Sequence, residues 1–389
     1  MSRAHVVMLL SNAFRPDPRV KREADGLVQA GFRVTLICWD RAAELTSPEW
    51  LDGIEVIRIQ DVRSSHGLGW RQLFYLPRFL KRAIRLGESL RPTAVHCHDL
   101  DTLYAGYALK KKLGCHLIYD SHENYPELMK AYLPGILVRG LGQLEHRLTR
   151  KADLIITAST TLRDELIARG LRSVVTLGNY PCLSEFRAID KARLMGAREE
   201  LGVSPKTVLI AYIGGFSRNR ALLPFLEAAD LLPNVEFHLW GDGHLRPQVE
   251  EAVARHGNAH YHGWLPVDQL PLYFQTADII YYGLRRDDAS AVYNAPNTVA
   301  QAMASGTPII GTDIGDLGRM IRDTDCGVLL DETTPGQIAS AIERLLLPEF
   351  RERKGSKGLT AAVSKYNAEN VQKRLVALYE SFLTGGKEN

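Results

Sequence analysis

Val208-Leu-Ile-Ala-Tyr-Ile213-Gly-Gly-Phe-Ser-Arg-Asn-Arg220 decides how the chain is read. Six consecutive apolar residues, three of them β-branched, predict a strand buried on both faces, as in a parallel sheet. Two glycines then allow the backbone a tight exit and close approach to a ligand. Arg218 and Arg220 follow, and guanidinium groups suit phosphate. The stretch therefore predicts the first strand of an α/β domain that carries an anion at its end.

The rhythm continues outward from it. Downstream, the spacing predicts helices over 222–231, 245–255, 266–275, 298–304, 317–322 and 335–346. Strands fall at 236–240, 260–261, 279–282 and 308–311. Upstream, a separate series runs from 5–10 to 174–177, with helices over 19–30, 73–90, 102–113, 137–150 and 161–169 that mostly stop at glycine. Between the series, residues 179–205 hold no strand-like run and read as a linker leading into a short helix. Two βα series without a residue-level repeat predict two Rossmann-like, doubly wound parallel-sheet domains facing a cleft. The expected boundaries are 1–183, 184–366 and 367–389, the last a helix crossing back to the first domain with a disordered tail.

Composition agrees with a soluble chain of this size. There are 389 residues, 45% hydrophobic and 24% charged, with a net charge of +3 and a mean hydropathy of −0.15. Residues 1–185 carry 26 basic and 20 acidic side chains, so any anionic surface belongs with the first half. Five scattered cysteines never adopt C-x-x-C spacing, which speaks against a disulfide framework or zinc ribbon. The first apolar run, Val6–Leu10, is too short for a signal peptide, and no run approaches the ~18 apolar residues of a membrane span. The expected location is the cytoplasm, with peripheral contact at the inner face of a membrane.

Several smaller motifs carry less. Gly241-Asp-Gly-His-Leu-Arg246 has two glycines of a dinucleotide fingerprint but Arg246 in place of the third, so a tight strand–helix turn is the expectation and a nicotinamide cofactor is not. Asp99-Leu-Asp101 and Asp323-Thr-Asp325 match the D-x-D of metal-dependent, single-domain transferases. Two βα series argue against that fold, and Asp101 and the second triplet are expected on the surface or in caps. His96, His98, His116 and His122 fall at strand ends, a set open to zinc but expected as ordinary strand-edge histidines. Trp70–Arg91 holds Arg71, Arg78, Lys81, Arg82, Arg85 and Arg91 against Glu88 alone, interleaved with apolar residues. It reads as a basic amphipathic helix, either docking on an anionic membrane or packed on the sheet. In Ala295-Pro-Asn-Thr-Val-Ala-Gln301, Asn297 is expected to cap a helix whose free amides and dipole suit an anion, with Gln301 leaning beside it.

Together these residues resemble retaining glycosyltransferases of family 4, which have the GT-B fold. Tyr212–Ala221 is similar to that family's Gly-Arg-x-x-x-x-Lys diphosphate segment, and Tyr293–Gln301 to its E-x7-E motif. Leu239–Gly243, His262–Pro266, Pro16–Val20 and Tyr119–Glu123 resemble further family segments, so the likeness spans nearly the whole chain. The departures are specific. Gly215 stands at the family's arginine, Arg220 at its lysine, and Tyr293 and Gln301 at its two glutamates.

The resemblance implies a metal-independent transfer of a sugar from a uridine or guanosine diphosphate sugar to an acceptor hydroxyl, in glycan, polysaccharide or glycolipid synthesis. His122, Arg220 and Arg218 are the expected catalytic residues. Gly214, Gly215, Gly241, Gly243, Gly263, Leu265, Tyr293, Asn294, Ala295, Pro296, Asn297, Thr298 and Gln301 are expected to bind the donor. Asp17, Arg19, Asp99 and Glu123 are expected on the acceptor side. No metal, cofactor or nucleic acid is expected; the partners are a nucleotide sugar, a sugar or lipid-linked acceptor and an anionic membrane. The alternatives are a nucleotide-sugar epimerase of the same fold and a non-catalytic subunit with a decayed donor site.

Overall fold

The computed structural model describes residues 4–15, 17–64, 74–121, 124–130, 133–295 and 297–384. The chain divides into two compact units, Met1–Gly178 with Val371–Asn389, and Asn179–Asn370.

The first unit holds β1 (His5–Leu10), β2 (Arg33–Trp39), β3 (Glu49–Leu51), β4 (Ile54–Ile59), β5 (Ala94–His98), β6 (His116–Ser121), β7 (Leu154–Thr157) and β8 (Val174–Thr176), in the order β3-β4-β2-β1-β5-β6-β7-β8. All neighbouring pairs are parallel except β3 with β4. That short antiparallel edge was not expected. It turns on Asp52 and Gly53, both at positive φ, and too few residues for a βα crossover separate the strands. Apolar side chains cover both faces of the sheet. Phe79 stacks on Trp39 at 4.9 Å on one face, while Leu27, Leu375 and Tyr379 pack on the other.

The second unit holds β9 (Val208–Ile213), β10 (Val235–Trp240), β11 (Ala259–Tyr261), β12 (Ile279–Tyr282), β13 (Ile309–Thr312) and β14 (Gly327–Leu330). Its order, β11-β10-β9-β12-β13-β14, is wholly parallel and reverses direction beside β9. Ligands in open α/β sheets bind beyond the carboxyl ends of strands at such a switch point. The quoted stretch therefore ends where a ligand is most expected.

The stretch 179–205 corrects the sequence reading. It forms two helices, Leu183–Arg187 and Lys191–Glu200, where a linker leading into one short helix was expected. Leu183 and Phe186 bury into the second core, Ala197 is buried on the second helix, and Asp190 caps that helix by accepting from the Arg193 amide at 2.8 Å. At the far end the helix Ala368–Thr384 belongs to the first unit from Val371 onward. Gln372 donates to the Arg22 carbonyl at 2.7 Å, and the Tyr379 hydroxyl meets His96 Nδ1 at 2.9 Å.

Candidate active site

In the second unit, the loops after β9, β10 and β11 are stitched together by backbone. The Gly214 amide donates to the Trp240 carbonyl at 3.0 Å, the Phe216 amide to Asp242 at 2.8 Å, and the Gly241 amide to Gly263 at 2.8 Å. Gly241 has φ 153°, and a Cβ there would lie 1.9 Å from the Gly214 carbonyl oxygen. Only glycine fits that contact. Gly243 is similarly close, its Cβ falling 2.8 Å from the Phe216 carbonyl oxygen. The Tyr212 hydroxyl donates to the Gly215 carbonyl at 2.7 Å, fixing the turn from inside, and burial pushes its pKa up.

Arg220 closes that turn. Its backbone bridges to Leu284, its Nη2 donates to Asn294 Oδ1 at 3.1 Å, and its guanidinium lies 4.6 Å over the Tyr282 ring. Among the described residues, the remaining Nε and Nη1 are shielded from solvent and meet no acceptor in hydrogen-bond geometry, although the Tyr212 hydroxyl lies beside the guanidinium. A half-buried cation with two such donors is a costly arrangement unless an anion completes it. Arg218 is exposed in the same turn.

The helix Asn297–Ser305 follows a 3₁₀ turn over Ala289–Tyr293. Asn297 is the first residue of the helix rather than its cap, and its amide donates to the Ala295 carbonyl at 2.9 Å. Thr298 lies in the first turn. Gln301, one turn in, has its Oε1 buried without a partner. Tyr293 ends the 3₁₀ turn, and Pro296 lies outside the described residues. Gly263 has φ 77°, where glycine is favoured, and the buried Leu265 side chain leaves only its backbone for a ligand.

The first unit gathers a second polar group. Asp17 caps the helix Pro18–Gln29, accepting from the Arg19 amide at 3.1 Å. The Arg19 guanidinium pairs with Asp120 at 3.3 Å and Asp99 at 3.5 Å. Burial opposes its charge, but Asp120 and Asp99 outweigh this and raise its pKa. Asp99 sits at φ 63°, rare for an L-residue, between β5 and the helix Leu100–Leu113. His122 and Glu123 lie outside the described residues.

The histidines correct the sequence reading. His96 and His98 are wholly buried on β5 in mid-sheet, with rings stacked at 4.4 Å, and are not edge residues. His98 Nδ1 meets Asp120 at 3.2 Å, and His96 Nε2 lies 3.7 Å from Glu23. Burial lowers both histidine pKa values and raises that of Glu23. Asp101, expected on the surface or in a cap, is partly buried in the first turn of its helix, and burial raises its pKa. Asp325 instead ends a helix at φ 52° and pairs with Lys354 and Lys357.

The comparisons with known proteins follow the same division. Residues 207–347 match the family described as glycosyl transferases group 1, and residues 16–179 match the glycosyl transferase 4-like domain. The chain belongs to the family-4-type glycosyltransferases. An uncharacterized glycosyltransferase of Methanocaldococcus jannaschii is 24% identical over 371 residues, with 92% of each chain covered. Among solved structures, sucrose-phosphate synthase of Thermosynechococcus elongatus superposes with a TM-score of 0.81 at 17% identity, covering 98% of this chain and all of that one. HepE of Anabaena, in complex with UDP-glucose, gives 0.71 at 14% identity, covering 97% and 99%. The fold of this glycosyltransferase is GT-B.

Two residues of the glycosyltransferase escaped the sequence reading. Tyr282 supplies the aromatic face under Arg220, and Tyr212 ties down Gly215. Both sit in apolar strand runs, where a tyrosine is read as core. The signal available was register, since both side chains lie at the carboxyl ends of adjacent strands, with rings stacked at 6.2 Å.

Proposed function

We propose that this glycosyltransferase moves a sugar, with retention, from a uridine or guanosine diphosphate sugar to an acceptor hydroxyl. One observation carries the reading: the shielded Nε and Nη1 of Arg220, held in place by Asn294 and Tyr282 and left without hydrogen bonds among the described residues. They suit the diphosphate, which gains charge as the glycosidic C–O bond breaks. Stabilising that developing charge is the catalytic task. The Gly214–Gly215 backbone and the first turn at Asn297–Thr298 would add amides, with Arg218 as a second cation. The acceptor oxygen forms the new bond to the anomeric carbon, and its proton passes to a departing phosphate oxygen. His122 is assigned to positioning the sugar, and Asp17, Arg19 and Asp99 to the acceptor side.

A cationic clamp makes a metal unnecessary for leaving-group departure, so turnover is expected to persist in chelator. HepE, solved with UDP and UDP-glucose, supports a nucleotide sugar as donor. A decayed site would instead have spent the donors of Arg220 on its own side chains. Donor-hydrolysis assays over uridine, guanosine and thymidine diphosphate sugars test the reading. Hydrolysis of one of them supports it, and neither hydrolysis nor binding of any would leave the non-catalytic reading in its place.

The helix Leu76–Leu90 supports a lipid-linked acceptor only weakly. Phe79, Leu80, Ala83 and Gly87 are buried, with Gly87 facing Leu109, so much of the apolar stripe is used in packing. Arg78, Lys81, Arg82 and Arg85 remain exposed, although Arg82 pairs with Asp61. Trp70 and Arg71 lie outside the described residues. We assign the exposed basic face to peripheral contact with anionic lipid.

A further inference from the structure

The outer edge of the second unit carries histidines that the donor reading does not use. In the register of β10 and β11, His238 faces His260, and Glu236 lies two residues before His238 on the same face. Ligand atoms of Glu236, His238 and His260 lie within 4.8 Å of one another. His260 Nε2 is 2.9 Å from Glu236 Oε2, and both side chains are partly exposed. His238 is fully buried. Its Nδ1 is 2.9 Å from His262 Nε2, and its Nε2 has no partner. If Nδ1 donates to His262, that second contact fixes the tautomer and leaves Nε2 as a lone pair, which is how metal-binding histidines are usually oriented.

We propose that Glu236, His238 and His260 bind one borderline divalent transition-metal ion of the zinc class. Two imidazoles and one carboxylate, with water in the fourth position, suit such an ion. Magnesium and calcium prefer all-oxygen sets. On binding, the metal would take the place of the hydrogen bond between His260 Nε2 and Glu236 Oε2, with the His260 ring proton on Nδ1. Arg198, the one cation whose charge is felt at His238, is engaged by Asp278 at 3.0 Å. The buried group Glu23, His96, His98 and Asp120 differs on this point, since Arg19 already supplies its cation. At the edge, the metal would cross-link the three-residue β11 to β10. It is a structural staple, separate from the transfer chemistry.

The test uses untagged full-length protein and zinc or cobalt alone. Equilibrium dialysis after chelator treatment should recover one zinc per chain. Cobalt should give the visible absorption of a four-coordinate site, and zinc should raise the melting temperature by mass action. His260→Ala, at a partly exposed position, should weaken zinc binding at least tenfold and abolish the thermal shift while keeping the metal-free melting temperature. Glu236→Gln should give the same result with a smaller change. Two results would overturn the proposal: no zinc bound by the wild type, or binding that persists in His260→Ala and disappears in His98→Gln.

Discussion

The two polar groups of this glycosyltransferase balance their charge differently. In the first unit, Arg19 meets Asp99 and Asp120, Asp120 meets His98, His96 meets Tyr379, and burial raises the pKa of Glu23. That group pairs its cation with carboxylates from within, although Arg19 Nη1, Glu23 Oε2, His96 Nε2 and His98 Nε2 also lack hydrogen bonds. In the second unit, Arg220 spends one nitrogen on Asn294 and meets no carboxylate among the described residues, and its Nε and Nη1 lack hydrogen bonds. The difference lies in charge rather than in unmet hydrogen bonds, and a shielded cation without a carboxylate is the one that calls for an anionic ligand.

The largest expected effect follows from breaking the second group. Arg220→Ala should lower turnover at least tenfold, since a charge-assisted contact is worth about 1.5–3 kcal/mol and more as charge develops. Circular dichroism and thermal melting should stay close to wild type, because the substitution removes an uncompensated charge. Unchanged turnover with full donor saturation would place the diphosphate elsewhere.

Gly241→Ala comes next. A Cβ 1.9 Å from the Gly214 carbonyl must push the phosphate turn aside, so the donor KM should rise several-fold. Gly257→Ala, with open space around its Cβ, is the control expected to leave KM unchanged.

The first group should show itself through pH rather than rate. His96 and His98 are held below their ordinary 6.5 by burial. Below that pH the unfolded chain binds more protons, so their contribution is present above pH 6.5 and lost as pH falls through it. Glu23 has the opposite sign. Its raised pKa gives stability that is full below its ordinary 4.5 and is lost as pH rises through the folded value. Glu23→Gln should therefore remove the alkaline loss and keep the acid loss, as read from melting temperature against pH. A flat profile in both proteins would mean that the group is not sealed from water.

The smallest effect concerns the exposed basic face. Each Lys or Arg near an anionic leaflet contributes ~1 kcal/mol within a Debye length. Co-sedimentation with anionic but not zwitterionic vesicles should be weak, salt-sensitive, and lost when Arg78, Lys81, Arg82 and Arg85 become Glu. A supernatant that keeps all the protein at low salt would favour a soluble acceptor.

How much of this was legible in the sequence depends on the element. Strands such as Val6–Leu10 and Leu209–Ile213 announce themselves, because both faces are buried and every residue is apolar. The helix Pro348–Ser364 does not. Its buried face is Lys354 with the small residues Gly355, Gly358 and Ala362, the glycines letting it approach Gly306 and Met303 closely, and no apolar period survives. Arg220 was readable from its place after the glycines. That its donors are left over was not, because Asn294 and Tyr282 reach it across 74 and 62 residues of chain. The burial of the histidines was hidden for the same reason. His96 and His98 do lie at a strand end, as the sequence reads, but only the order of strands puts β5 in the middle of the sheet.

The account turns on the unmatched donors of Arg220, and calorimetric titration of uridine and guanosine diphosphate in chelator tests it most directly. The wild type is expected to bind one of the two, with Arg220→Ala at least tenfold weaker and Arg19→Lys retaining the wild-type affinity. Failure of both nucleotides to bind the wild type, or equal affinity in Arg220→Ala, would contradict it.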